Sequence, residues 1–206
     1  MSFDKVLGHP KITFILGPTG SGKSVTGAAI LEDFHKNTKF RTVLAPIEDV
    51  SDLVPKYIEL LDPLYVDPED YPRDSVILMM DAHFILRAEL HQREFALEFD
   101  NLLSFKRHKN FSLIVDTQIA STILAKIRRR EDNLIVKAPT RRNIRNESSE
   151  YKKDLQRAYD IFEEENVRNE NKYAVIFTNK RNAEELFIGP YDPPSWWSEE
   201  LSTYMR

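Results

Sequence analysis

Short apolar runs alternate with longer segments of mixed polarity along the chain. Lys11–Leu16, Thr42–Ala45, Ser75–Met80, Phe111–Val115 and Leu134–Val136 read as strands, each a short run bounded by polar or turn-forming positions. From Val76 to Met80 the apolar run is unbroken, the pattern of a strand covered on both faces. Tyr173–Phe177 and Leu186–Ile188 predict two last strands with a hairpin around Asn179–Asn182, and Leu64–Val66 a minor one. Helical spacing marks Ser24–His35, Phe84–Phe105 and Ser148–Asn169, the last through Tyr151, Leu155, Tyr159 and Phe162. Val50–Leu61 predicts a short helix ended by Asp62-Pro63, and a turn-rich link follows from Pro68 to Pro72. Strands alternating with helices predict an α/β fold with a mainly parallel sheet, closing in an antiparallel pair where the last two strands crowd together. The segment after Gly189 differs in kind, with Pro190, Pro193, Pro194, Trp196 and Trp197. The expected organisation is one domain over residues 1–189 and a Pro/Trp-rich tail over 190–206. The tail either closes over the domain's own core or anchors a neighbouring subunit or a capsid-side partner.

Composition narrows the chemistry. The 206 residues include no Cys, so disulfides, Cys-zinc sites and thiol nucleophiles are excluded. A net charge of −4 rules out a globally basic nucleic-acid binder and leaves only a local patch for such a role. No stretch approaches a membrane span, and Met1–Lys5 is too polar to start a secretory signal, so an intracellular setting is expected.

Gly17-Pro18-Thr19-Gly20-Ser21-Gly22-Lys23-Ser24 matches G-x-x-x-x-G-K-[ST] at every fixed position, with a strand entering and a helix leaving. The glycines let successive N–H groups point into one concavity, and the helix N-terminus adds its positive dipole end. Lys23 would reach β- and γ-phosphates, and the Ser24 hydroxyl would ligate Mg²⁺. Two strands end in a candidate magnesium carboxylate, Asp81 and Asp116, at the sheet edge where ligands bind. Asp81 is preferred because its strand is longer and more apolar.

GPTGSGKS, VILMMD and LIVDTQ together resemble the FtsK–HerA superfamily of P-loop ATPases, over roughly residues 11–120. The group includes ring-forming DNA pumps. The resemblance is greatest to genome-packaging ATPases of membrane-containing icosahedral viruses, especially archaeal turreted viruses. It implies a P-loop NTPase fold of the ASCE type, with the phosphate-loop strand beside the Gln118 strand and the Asp81 strand next beyond. It implies ATP and Mg²⁺ as cofactors, with Gly17 to Ser24 on the phosphates, Ser24 and Asp81 on the metal, and Gln118 sensing the γ-phosphate. It further implies a ring homo-oligomer, hexamer or pentamer, that translocates double-stranded DNA in the host cytoplasm, with capsid or procapsid vertex proteins as partners. One position departs from the family: Ala82 stands where a water-activating Glu is usual. Glu48, after the second strand, is the first substitute for that base; His83 and Asp116 follow.

Charge is unevenly spread. Residues 126–145 carry Lys126, Arg128, Arg129, Arg130, Lys137, Arg141, Arg142 and Arg145 against Glu131 and Asp132, a net +6 where the rest of the chain is −10. Arg128, Arg129 and Arg130 are candidates for an arginine finger toward a neighbour's ATP, and the segment as a whole for contact with DNA phosphates. Lys106, Arg107, His108 and Lys109 read as helix C-terminal charge. The alternative function is a P-loop kinase for a nucleotide or other small molecule, with the Arg-rich segment as its lid. A GTPase is disfavoured, because Asn182 replaces the guanine-reading Asp of N-K-x-D.

Overall fold

The computed structural model describes residues 2–46, 48–62, 71–80, 82, 103–123, 125–168, 170–178 and 184–204. Asp81, His83, Leu64–Val66, most of the Phe84–Phe105 helix and the Asn179–Asn182 turn lie outside the described residues. The strands are β1 (Ile12–Leu16), β2 (Arg41–Ala45), β3 (Ile58–Leu60), β4 (Ser75–Met79), β5 (Phe111–Thr117), β6 (Asn133–Val136), β7 (Ala174–Thr178) and β8 (Glu184–Ile188). They form one sheet in the order β3-β2-β4-β5-β1-β6-β7-β8. From β3 to β6 every pairing is parallel; β6–β7 and β7–β8 are antiparallel. The expected mainly parallel α/β sheet is therefore present, and so is the expected strand order, with β5 inserted between β1 and β4.

Every residue of β1, β4 and β5 is buried, as their apolar runs require of strands covered on both sides. Side chains alternate between two cores. Phe14, Ile77, Leu113 and Val115 pack with Tyr151, Leu155 and Phe162 of the helix Ser149–Glu165. Ile15, Val76, Leu78 and Ile114 pack with Ile30, Leu31 and Phe34 of the helix α2 (Lys23–Asn37). The second core also takes Leu7, from a short helix α1 (Phe3–Leu7), and the tail residues Trp196, Trp197 and Leu201. The tail lies against the domain's own α2 face.

The Val50–Leu61 helix does not form. Pro55 removes a backbone donor inside the segment, and the chain turns there, with the Ile58 N–H bonded to the Pro55 carbonyl at 2.9 Å. Ile58–Leu60 instead extends the sheet as β3, pairing in parallel with Thr42–Leu44. Sheet hydrogen bonds won over an apolar spacing that suits a helix as well as a short strand. Among the described residues no helix is long and apolar enough to cross a membrane.

Candidate functional site

The Gly17–Ser24 loop leaves the end of β1 and runs directly into α2. Glycine is required at two of its positions. Gly22 has φ +82°, a left-handed conformation strained for any residue with a Cβ, and a Cβ there would also meet the Asn171 carbonyl at 2.8 Å. A Cβ on Gly17 would lie 2.5 Å from the Lys137 carbonyl and 2.6 Å from Ser21 Oγ. The loop is thus pressed onto the backbones of residues 137 and 171. Lys23 and Ser24 open α2, so the positive helix end and its unbonded N–H groups sit at the loop. Lys23 is buried and its Nζ donates to the Pro18 carbonyl at 3.3 Å, folding back over its own loop. Ser21 Oγ is buried with no hydrogen-bond partner among the described residues.

Strand alternation decides which carboxylate meets the loop. On β5, Phe111, Leu113 and Val115 face the helix Ser149–Glu165, so Asp116 faces α2 with Ile114. Fully buried there, its Oδ2 accepts a hydrogen bond of 2.7 Å from the Ser24 hydroxyl. Its carbonyl accepts the Ala82 N–H at 2.9 Å, tying the chain beyond β4 to the same spot. The structure therefore joins Ser24 to Asp116, the strand-end carboxylate ranked second on sequence grounds. Glu48 lies beyond β2 and is exposed. It does not line the cleft described next.

A cleft of about 210 Å³ opens at the loop, large against the ~30 Å³ that one water occupies in the liquid. Thr19, Gly20, Gly22, Lys23, Ser24 and Val25 form one wall, and Gln118 closes the β5 side. Asn171, Trp197 and Ser202 complete it. The antiparallel strands explain their arrival. Because β7 runs against β6, with Val175 opposite Val136, the turn before β7 returns to the edge where β1 ends. Ile188 pairs with Ala174, so the chain leaving β8 reaches that edge too.

Lys137 sits behind the loop. It was counted above with the basic segment, but it is fully buried and contributes no surface charge. Its Nζ donates to the Asn171 carbonyl at 2.8 Å, to the Tyr173 carbonyl and to the Tyr191 hydroxyl. Burial pulls its pKa down to about 7. The Thr26 hydroxyl spends its hydrogen on the Gly22 carbonyl at 2.7 Å, so the 2.6 Å contact to Tyr191 is donated by the tyrosine. One chain of hydrogen bonds thus links the tail, α2, the loop and the turn at Asn171. Burial also raises the Tyr191 pKa, which keeps the phenol neutral and able to donate.

Beyond Gln118 the backbone is held by Glu147. The Ala120 and Ser121 N–H groups donate to its carboxylate at 2.7 and 2.9 Å, and the Ser148 N–H at 2.8 Å. That buried carboxylate anchors the Gln118 segment to the start of the long helix. No sequence pattern pointed to Glu147, Asn171 or Tyr191, because each works through partners far along the chain, from 26 to 165 positions away in the bonds that matter here. For Lys137 a signal existed: it directly follows the apolar run of β6, at the end of a buried strand.

The basic residues fall at two edges. Arg128, Arg129 and Arg130 precede β6, at the edge where the parallel strands begin, away from their own phosphate loop. Arg128 is held by the Ile123 carbonyl at 3.0 Å and by Glu150 at 3.1 Å. Arg130 donates to Ser104 Oγ at 3.1 Å, and Arg129 is exposed. Arg141, Arg142 and Arg145 follow β6 on the exposed helix Arg141–Asn146, at the loop's own edge. Residues 103–109 are helical, which puts Lys106–Lys109 at a helix C-terminus; Lys106 bonds Asp132 at 2.6 Å.

No protein-family model matches the sequence, and no curated protein sequence matches it significantly. Solved structures do match. The genome packaging NTPase B204 of Sulfolobus turreted icosahedral virus 2, in complex with sulfate, superposes with a TM-score of 0.62 at 15% identity, covering 91% of this chain and 100% of that one. Its complex with ATP-gammaS gives 0.59 at 15%, covering 88% and 97%. The pCW3 conjugation coupling protein TcpA, with ATPgS, gives 0.53 at 11%, covering 85% of this chain and 59% of that one. The chain shares its fold with these structures, and that fold is the mainly parallel α/β sheet expected from the sequence.

Proposed function

We propose that this chain is an ATP-hydrolysing motor that moves double-stranded DNA to package a viral genome. The observation that carries the reading is the hydrogen bond from Ser24 to the buried Asp116 beside a complete phosphate loop, with Gln118 on the same cleft. In this reading the loop N–H groups and Lys23 hold the β- and γ-phosphates. Gln118, fixed in place through Glu147, orients the γ-phosphate end. Ala82 offers no base, so that role falls to Glu48, which would have to swing toward the cleft, to His83 or to Asp116, or the catalysed step relies on positioning and charge alone.

This function implies a magnesium ion. The hydroxyl and carboxylate oxygens of Ser24 and Asp116 are hard donors at the right end of the loop, with Asp81 the second candidate carboxylate. Among the described residues no cluster of three or more His or acidic side chains could cage a metal, which suits an ion that takes one or two carboxylates and completes its shell with phosphate oxygens and water. When bound, it would neutralise charge on the β- and γ-phosphate oxygens.

The fold of a genome packaging NTPase supports the motor reading, and two exposed basic faces supply what DNA and ring neighbours would need. Arg141, Arg142 and Arg145 suit phosphate-backbone contact. Arg129, exposed and without a side-chain partner among the described residues, suits a finger acting on a neighbouring subunit's site. A ring of five or six copies, docked on a procapsid vertex, is the assembly that would use both. The test is the ATPase rate with and without duplex DNA, alongside the mass in solution. Stimulation by DNA of any sequence, weakening steeply with salt, together with assembly supports the motor. Phosphate transfer to a nucleoside monophosphate by a monomer indifferent to DNA would replace it with a kinase.

A further inference from the structure

We propose that Trp197 is the base platform of the nucleotide cleft, its indole stacking on a purine whose phosphates occupy the Gly17–Ser24 loop. This rests on reading that loop as a nucleotide site. The cleft is lined both by the phosphate-loop residues Lys23 and Ser24 and by Trp197, which the tail brings to it. A triphosphate alone has no use for an indole; a purine has a π-face that stacks on one irrespective of its exocyclic groups.

The tail is built to hold that wall in place. Tyr191 is bonded to Thr26 and Lys137, Leu201 is fully buried, and the backbone N–H of Trp197 donates to the Pro194 carbonyl at 2.9 Å. Trp197 packs partly on the α2 core, with its ring centroid 6.2 Å from that of Trp196. A platform fixed in advance loses little side-chain freedom when a base settles on it. The hydroxyl of Ser202 and the side chain of Asn171 are the polar groups available to the rest of the nucleoside. Stacking without a dedicated reader of base edges makes ATP and GTP near equals.

The experiment compares equilibrium binding of ATP, GTP and inorganic tripolyphosphate by calorimetry, in wild-type protein, Trp197→Ala and Trp197→Phe. Wild type should bind ATP and GTP within a few-fold of each other, and both roughly tenfold or more tighter than tripolyphosphate. Trp197→Ala should lose that advantage and keep its tripolyphosphate affinity, which also shows that the loop remains folded. Trp197→Phe should restore most of the advantage. In a Trp196→Phe background the remaining indole should be quenched by ATP and unaffected by tripolyphosphate. An unchanged ATP preference in Trp197→Ala overturns the proposal with the loop reading intact. Equal loss of all three ligands in both variants overturns it in favour of a purely structural wall. If wild type binds none of the ligands, the loop reading falls and takes the platform with it.

Discussion

Replacing Lys137 by Met should flatten the pH dependence of stability. An unfolded lysine titrates near 10.5, and burial brings Lys137 down to about 7. Between those values the unfolded chain binds up to one proton more than the folded chain, so stability rises with pH across that window. The cost of the buried charge is full below about pH 7 and gone above about 10.5. The whole separation corresponds to about 5 kcal/mol, and the part recovered between pH 7 and 9 to about 2 kcal/mol. A cage of three acceptors works the other way, since only the ammonium form has three hydrogens to give to Asn171, Tyr173 and Tyr191. Urea unfolding of wild type and Lys137→Met at pH 7, 8 and 9 separates these effects. Titrations elsewhere in the chain cancel in the difference, and so does the fixed cost of stranding the acceptors. Wild type should gain about 2 kcal/mol more than the variant over that range. Parallel curves would refute the reasoning: the cage would then hold the charge despite burial.

Lys23→Ala should abolish nucleoside triphosphate hydrolysis while leaving the thermal unfolding midpoint close to wild type, because Lys23 bonds only its own loop; normal turnover would sink the phosphate-loop assignment. Asp116→Asn keeps an acceptor for Ser24 but removes the charge, so turnover should drop on the order of 10²-fold or more with the fold retained, and magnesium dependence should shift to higher concentration. Glu147→Ala strands two N–H groups beyond Gln118 and should cost about 1–3 kcal/mol by chemical denaturation, with a fall in kcat larger than any change in KM. Mixing inactive Lys23→Ala with Arg129→Ala should restore activity in mixed assemblies if Arg129 acts between subunits, a finger being worth roughly 10³–10⁵ in rate; a fully active Arg129→Ala protein removes it from that role.

Local chemistry made the phosphate loop legible in the amino-acid sequence. Gly17, Gly22, Lys23 and Ser24 act within eight positions, and the strand and helix that frame them have clear periodicities. The unbroken run of β4 was equally plain, since a strand covered on both faces needs no polar alternate positions. Even the order of β1, β5 and β4 followed from resemblance before any coordinates. The segment around Pro55 misled because its apolar spacing suits either a short helix or an edge strand, and only the open side of β2 decided between them. The contact between Ser24 and Asp116 was likewise invisible in the sequence: alternation along β5 and the pairing of Ile15 with Asp116 set that distance, and both depend on the sheet. Lys137 reads as one more charge in a basic run until the turn at Asn171 and the tail close over it. Trp197 reads as part of a tail that covers the core or anchors a partner, until two antiparallel strands carry it to the edge where β1 ends. Those contacts join residues far apart in the chain, so neither spacing nor composition could announce them; the path of the backbone through the sheet creates them.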